Sequence, residues 1–348
     1  MRSIIRVCIA LVAAAFAGAA AAQPIKVGMS MPQTGPLGAG GKAALVALRM
    51  WVEDVNAKGG MLGRKVELIV YDDQTNPALT PAIYTKLLDV DKVDLLIAPY
   101  GTVPTAPIMP LVKQRGLLLM GNFSFQVNRT VRHDMWFNNA PWNDAASWFT
   151  GYFEAGKKAG VKTIAFLAAD QEFAQNLAKG AKELAQKGGL KTVYEQNYPP
   201  ATTDFSSLNG IVNYNSYVPG MKYPGIEEFL GRYAKKAVEA KVDPLGFYLP
   251  PFNYAIGQML EQAITATKSL DHKVLANYLR NNEMKTIVGP IRFRADGEWA
   301  NARVVQAQFR GVVDKNLDQF RQPGKQVVLY PDQYKTGEVI APFEKARK

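Results

Sequence analysis

The chain has 348 residues, 48% hydrophobic and 20% charged, with 41 Lys and Arg against 30 Asp and Glu for a formal net charge of +11. That balance is of an ordinary globular chain, not a fibrous or low-complexity one, and a single cysteine, Cys8, excludes a disulfide framework. The basic excess is spread along the chain (Lys157-Lys158, Lys235-Lys236, Lys345 to Lys348) with no nucleic-acid motif beside it, so it reads as solubility with a weak bias toward anionic ligands or membrane surfaces.

The first element is an export signal over residues 1–22. Arg2 and Arg6 give a positive start, Val7 to Phe16 a short apolar core, and Ala20-Ala21-Ala22 a small-residue cleavage site before Gln23. The apolar stretch falls short of the ~20 residues a bilayer span needs, although an anchor left in place is the alternative. Cleavage removes Cys8, Arg2 and Arg6, leaving 326 residues with net charge +9 and no cysteine. That length suits about two domains at ~150 residues each.

Ile25–Met29 is predicted as the first strand, followed by a Gly- and Pro-rich loop from Pro32 to Gly41. From Lys42, apolar residues at Ala44, Leu45, Leu48, Trp51, Val52 and Val55 mark one face of a helix, closed by Gly59-Gly60. Val66–Tyr71 is the second strand, ending at Asp72-Asp73; Asn76 and Pro77 open a helix to about Val90; Val93–Ala98 reads as a buried parallel strand. A helix around Ala106–Gln114 and the strand Leu117–Met120 repeat the unit. Trp136 to Asn143 is the first candidate crossover. A second series follows: helix Asn143–Ala159, strand Thr163–Ala168, helix Phe173–Lys187, strand Thr192–Tyr198. Helices at Gly225–Ala240, Asn253–Thr267 and Lys273–Asn281 precede strands at Ile287–Arg294, Arg303–Phe309 and Gln326–Leu329. Strands alternating with helices at this spacing imply an α/β fold with parallel sheets flanked by helices.

Catalytic patterns are poor. His133 and His272 lie far apart, each flanked by charged residues, and read as surface histidines; metal-ligand spacing is absent, so no metal and no cofactor is expected. Gly38-x-Gly40-x-x-Ala43 loosely matches a dinucleotide fingerprint, but Pro32 and Pro36 separate it from the strand that must feed it directly. Asp72-Asp73 reads as loop-ordering or helix-capping. Ligands of open parallel sheets bind outside the carboxyl ends of the strands. Three loops leave such ends, Pro32–Gly41 with Gly40, Tyr100–Thr105, and Gly121–Ser124 with Asn122, and their Gly, Thr, Ser and Asn content suits carboxylate capture equally with ordinary βα loops.

Taken together, TGPLGAGGKAALVALRMWVEDVNAKGGMLGRKVELIVYDDQTNP, the NAKGG-xx-G segment Asn56 to Gly63, Val93–Pro99, Gly116–Met120, Ala168–Phe173, Thr203-Asp204-Phe205-Ser206 and Thr286 to Pro290 resemble the periplasmic leucine/isoleucine/valine-binding proteins. The resemblance implies two α/β lobes joined by three crossovers that close on a ligand like a hinged trap, and no catalysis. It places the first lobe at 23–140 plus 250–325 and the second at 141–249 plus 326–348. It puts the carboxylate on Gly101, Thr102, Phe123 and Ser124, beside Tyr100 and Asn122, with Phe173 covering the ligand. A family aromatic is replaced by Gly40, which implies room for a ligand bulkier than leucine. The implied partners are an amino acid or organic carboxylate and an inner-membrane ABC permease, with the receptor a periplasmic monomer that binds no nucleic acid. A ligand-sensing module of the same fold is the alternative. After Leu208 the sequence passes at once to Asn209-Gly210-Ile211-Val212, which resembles a later strand of the family. Two βα units of ~11–12 and ~5–6 residues with their loops, roughly fifty residues, are therefore missing from the second lobe, and a truncated, non-binding variant is the further alternative.

Overall fold

The computed structural model describes residues 23–169, 172–198, 212–313, 316–341 and 345. Five parallel strands, β1 (Ile25–Ser30), β2 (Val66–Tyr71), β3 (Leu95–Tyr100), β4 (Leu119–Asn122) and β5 (Trp136–Asn139), form one sheet in the order β2-β1-β3-β4-β5. Both faces of this sheet are covered, which is what its apolar runs require. On one face lie the long helices α1 (Gly38–Ala57) and, from the far end of the chain, Pro250–Thr267. They approach so closely that a Cβ on Gly257 would come within 2.0 Å of the Trp51 ring. Trp51 is 1% exposed; burying an indole of ~200 Å² contributes roughly 4–6 kcal/mol before entropy. On the other face, α2 (Thr80–Asp89) and the helical stretch through Met109–Gln114 supply Tyr84, Leu87, Met109 and Val112 against Trp136.

The first helix starts at Gly38, earlier than the expected Lys42. Its glycines serve close approach: a Cβ on Gly41 would lie 1.8 Å from the Pro32 carbonyl oxygen. The strand β5 occupies the segment expected to be crossover, pairing Leu119↔Trp136 through Asn122↔Asn139, so the crossing comes after it. The helix expected over Asn143–Ala159 is broken into a 3-10 turn, Ala146–Trp148, and Thr150–Lys158.

The second lobe is built differently. The strands β6 (Thr163–Ala169) and β7 (Lys191–Tyr198) pair in parallel, with the helix Glu172–Lys187 between them in sequence. The strands β8 (Val212–Asn215), β11 (Val305–Phe309) and β12 (Gln326–Tyr330) form a separate antiparallel sheet in the order β12-β11-β8. Between them in sequence, β9 (Met284–Thr286) and β10 (Gly289–Ile291) make a short hairpin where one longer strand was expected. Among the described residues β6 is hydrogen-bonded to β7 alone, and nothing joins it to β8. The short connection at Leu208 and Asn209 lies outside the described residues.

Two expected boundaries move. The helix Ile226–Glu239 belongs with the first lobe: Arg232 and Lys236 reach Asp54 (2.5 Å) and Glu53 (2.9 Å) on α1, and the Tyr254 hydroxyl donates to Asp54 at 2.6 Å. The strand β11, expected in the first lobe, pairs instead with β8 and β12 in the second. The returns therefore fall near Ser216–Gly225 and Ala300–Val304, rather than at 249–250 and 325–326. The Arg303 N–H donates to the Pro141 carbonyl at 2.6 Å, which ties the last passage to the first.

Candidate functional site

The carboxyl edge of the five-stranded sheet is organised from Asp72 and Asp73. Asp73 is fully buried and accepts from the Ser30 hydroxyl (2.7 Å) and the Thr75 N–H (3.0 Å). Burial pushes its carboxyl above the ordinary range, against those two hydrogen bonds. Asp72 accepts from the N–H of Gln33 (2.9 Å) and Gln74 (2.9 Å) and from the Thr34 hydroxyl (2.7 Å). Partial burial opposes ionisation there, but the hydrogen bonds together win and hold it below the ordinary range. The pair fixes the loop after β1, the ordering role read from the sequence.

The loops after β3 and β4 are joined to each other. Pro99 has no N–H for the ladder, and the β3–β4 register shifts between Ile97 and Tyr100. Gly101 then turns with φ 98°, a conformation that favours glycine, and its N–H donates to the Asn122 carbonyl at 3.0 Å. The Ser124 hydroxyl is fully buried and bonded within the protein, at 2.8 Å from Thr105 Oγ1 and 3.2 Å from the Gly101 carbonyl. Asn122 is also buried; its side-chain amide exchanges two hydrogen bonds with Asn253 (3.0 and 3.2 Å), tying β4 to the long helix beside α1. Thr102 differs. It is half-buried, and its Oγ1 accepts from the Phe125 N–H at 2.9 Å, while its own proton has no acceptor among the described residues. The structure thus brings Gly101, Thr102, Asn122, Phe123 and Ser124 together but leaves Thr102 as the hydroxyl with a donor to give.

Phe123 holds φ 55°, uncommon for a bulky residue and a local strain of order 1 kcal/mol. Its ring is core: it meets Trp142, Phe252 and Tyr248 edge-on at centroid distances of 4.9, 5.0 and 5.1 Å. Trp142 stacks at 4.2 Å on Trp148, which meets Tyr214 at 4.4 Å, so aromatic rings run unbroken from the first lobe to β8 in the second. Tyr100 stands edge-on to Tyr248 at 6.5 Å, and burial raises the pKa of both hydroxyls. Gly40 lies in the first turn of α1 rather than in a loop. A Cβ there would meet Leu249 at 3.1 Å and Tyr100 at 3.3 Å. Gly40, Thr34, Lys42, Lys241, Tyr248 and Leu249 border a cavity of about 480 Å³. Phe173 lies in the helix Glu172–Lys187, and its side chain is outside the described residues.

Sequence reasoning missed a buried acid behind these loops. Glu298 is 7% exposed, and burial pushes its carboxyl up to about 8 against hydrogen bonds from Asn138 and Trp136. Asn138 Nδ2 donates to Glu298 Oε2 (2.8 Å) and to the Ser124 carbonyl (2.7 Å), while its Oδ1 accepts from the Ser124 N–H (3.3 Å). Glu298 therefore positions the β4 loop through Asn138. The Ala295-Asp296-Gly297 turn was visible in the sequence, but burial of the next residue has no periodic signature. His133, read as a surface residue, is 2% exposed and donates Nε2–H to the Leu117 carbonyl at 2.7 Å. His272 accepts from the Leu118 N–H at 3.0 Å. Each is tied through one ring nitrogen to the segment that leads into β4. The described residues hold no group of three or more His, Cys, Asp or Glu able to bind a metal.

The family model for periplasmic binding proteins matches residues 24–208. The Leu/Ile/Val-binding protein of Escherichia coli K12 is 24% identical over 342 aligned positions, covering 84% of this chain and 91% of the relative. Since 84% of 348 residues is about 292, about 50 of those positions are filled by the relative alone. The match to the family model ends at the residue where the sequence loses the family pattern. In fold, the chain is similar to a Rhodopseudomonas palustris solute-binding protein solved with benzoate (TM-score 0.72, 15% identity, 93% of this chain and 99% of that one). It is also similar to a Streptococcus pneumoniae branched-chain amino acid binding protein solved with isoleucine (TM-score 0.69, 17% identity, 82% and 96%). The chain belongs to the periplasmic binding protein family, whose members bind solutes without transforming them.

Proposed function

We propose that this chain is the solute receptor of an ABC importer, and that it captures a small carboxylate with an apolar or aromatic body at the carboxyl edge of the first-lobe sheet. The observation that carries this reading is the unclaimed Thr102 hydroxyl proton beside Gly101, on loops held together by Asn122, Asn138 and Ser124. The Thr102 hydroxyl is assigned to the carboxylate end, on the turn that Gly101, Phe123 and Ser124 hold in place, with Tyr100 and Tyr248 against the body of the ligand. Relatives named for leucine, isoleucine and valine, and a fold neighbour holding benzoate, support the ligand class. No acidic side chain stands among the assigned residues, which favours an aromatic or branched organic acid over the zwitterion of an amino acid. The receptor works as a monomer in the periplasm, released from its signal before Gln23, and docks on an inner-membrane permease.

Calorimetry with benzoate and with leucine tests it. Thr102→Ala weakens benzoate binding by ~1–3 kcal/mol, the loss of one hydrogen bond to a charged group. That is roughly ten- to a hundredfold in Kd. Unchanged affinity in that variant places the site elsewhere, and leucine binding more tightly than benzoate contradicts the choice of ligand class.

A further inference from the structure

An unbroken hydrogen-bond chain runs from Glu298 to Thr102. Asn138 Nδ2 donates to Glu298 Oε2 at 2.8 Å and to the Ser124 carbonyl at 2.7 Å. That carbonyl belongs to the same peptide unit as the Phe125 N–H, which donates to Thr102 Oγ1 at 2.9 Å. The peptide is thus held at both ends, and the chain finishes on the hydroxyl whose own proton is unclaimed. Asn138 and Ser124 are fully buried and Glu298 is 7% exposed, so bulk water does not screen the chain. Bonds in such a chain polarise one another, each donor strengthening the next.

We infer that capture of the ligand's carboxylate is linked to the proton on Glu298: the receptor takes the anion with Glu298 neutral and loses affinity when Glu298 ionises. This rests on the Thr102 site proposed above. An ionised Glu298 is the stronger acceptor and draws the shared Asn138 nitrogen toward itself. The bond to Ser124 weakens, the Phe125 N–H donates less strongly, and the Thr102 proton becomes a poorer donor to the ligand. The new negative charge also repels the ligand's own. Both effects have one sign, so by reciprocity a bound carboxylate holds the Glu298 proton more tightly. Burial keeps that proton in place to about pH 8. Trp136 Nε1 also donates to the carboxyl, at 3.5 Å, and does not titrate. The charges acting on Glu298 are Asp296 and Arg294 on its own turn, which oppose each other. Arg280, from the helix His272–Asn281, donates to the Ala295 carbonyl of that turn at 2.8 Å. Around the adjoining cavity of about 560 Å³ stand Arg129, Arg132, Asp134 and Asp144. Arginines and aspartates titrate far from pH 8. His133 borders the same cavity, and burial pushes it below its ordinary 6.5. Among these groups Glu298 is therefore the one whose charge changes between pH 6.5 and about 9.

The test is calorimetry of the mature protein with benzoate, which stays ionised from about pH 6.5 to 9. Affinity should be level to about pH 7.5 and fall roughly fivefold by about pH 9, the low end of couplings between linked sites. In buffers of different ionisation enthalpy, binding should take up a fraction of one proton at about pH 8.5 and none at about pH 6.5. Glu298→Gln, whatever its affinity at neutral pH, should show neither the fall nor the proton uptake. A flat profile in the unmutated protein whose unfolding still responds to pH makes Glu298 a structural acid alone and overturns the inference. So does a fall that survives in Glu298→Gln. Either result leaves the Thr102 site standing, whereas no benzoate binding at neutral pH removes that site and this inference with it.

Discussion

Strand β3 in the first lobe and strand β6 in the second are written in nearly the same language, LLIAPY and TIAFLAA, yet they live in different surroundings. Leu95 to Pro99 are buried without a break, as in a strand covered on both faces and paired on both edges. In β6, Ile164, Phe166 and Ala168 are buried while Thr163 and Ala165 are exposed. Its only described partner, β7, leaves Val193 57% and Tyr194 51% exposed. An apolar run specifies a wish to be buried; whether the wish is met depends on the neighbours the rest of the chain supplies. The first lobe supplies them. The second does not: among the described residues β6 pairs with β7 alone.

That comparison can be broken by mutation. The largest effect is expected at Phe137, fully buried on β5 of the first sheet: Phe137→Ala should cost ~3–5 kcal/mol in urea unfolding. Phe166→Ala removes the same ring in the second lobe but beside a cavity among the described residues, so it should cost no more than about 2 kcal/mol, the lost contacts being fewer. Equal costs would mean that the second lobe is packed as well as the first. Next comes Glu298. Its folded pKa of about 8 stands above the ordinary 4.5, so the unfolded chain gives up this proton first. Stability should therefore fall as pH rises from 4.5 to about 8 and level off beyond. Glu298→Gln should remove that slope, leaving the variant more stable at pH 8–9 by on the order of a few kcal/mol. Parallel pH profiles for the two proteins would sink the assignment. Asp54→Ala cuts the clamp of Arg232 and Tyr254 on α1 and should cost ~1–3 kcal/mol, read from the same unfolding curves. Arg232 and Tyr254 hold the Asp54 carboxyl below its ordinary 3.8 despite partial burial. The contribution is thus intact above pH 3.8 and disappears as pH falls below it. The smallest effect is expected at Val193 on the exposed strand β7, where Val193→Thr should stay within about 0.5 kcal/mol.

Much of the first lobe was legible because its signals are local and repeated. The stripe from Ala44 to Val55, the left-handed glycines Gly59 and Gly60 (φ 101° and 84°) after it, and the paired aspartates all did what their chemistry implies. The lobe boundaries were not legible. The placement of Ile226–Glu239 on α1 depends on Arg232 meeting Asp54 across 178 residues, which no window along the chain reveals. Of the proposed site, the loops could be read from strand ends and turn residues. The distinction between Thr102, with a proton to give, and Ser124, already bonded, needed the partners Phe125 and Thr105. What surrounds Gly40 was not legible either, since its neighbours Tyr100 and Leu249 come from segments about 60 and 210 residues away.

The central claim is that the first lobe holds one continuous sheet while, among the described residues, the strands of the second fall into two separate ones. Amide hydrogen exchange resolved by peptide tests it most directly, since local opening costs less where strands lack neighbours. The amides of Leu95–Tyr100 should exchange only through global unfolding. Those of Thr163–Ala169 and Lys191–Tyr198 should exchange at least about a hundredfold faster, an opening cheaper by ~2.7 kcal/mol. Equal protection in β3 and β6 would contradict the account.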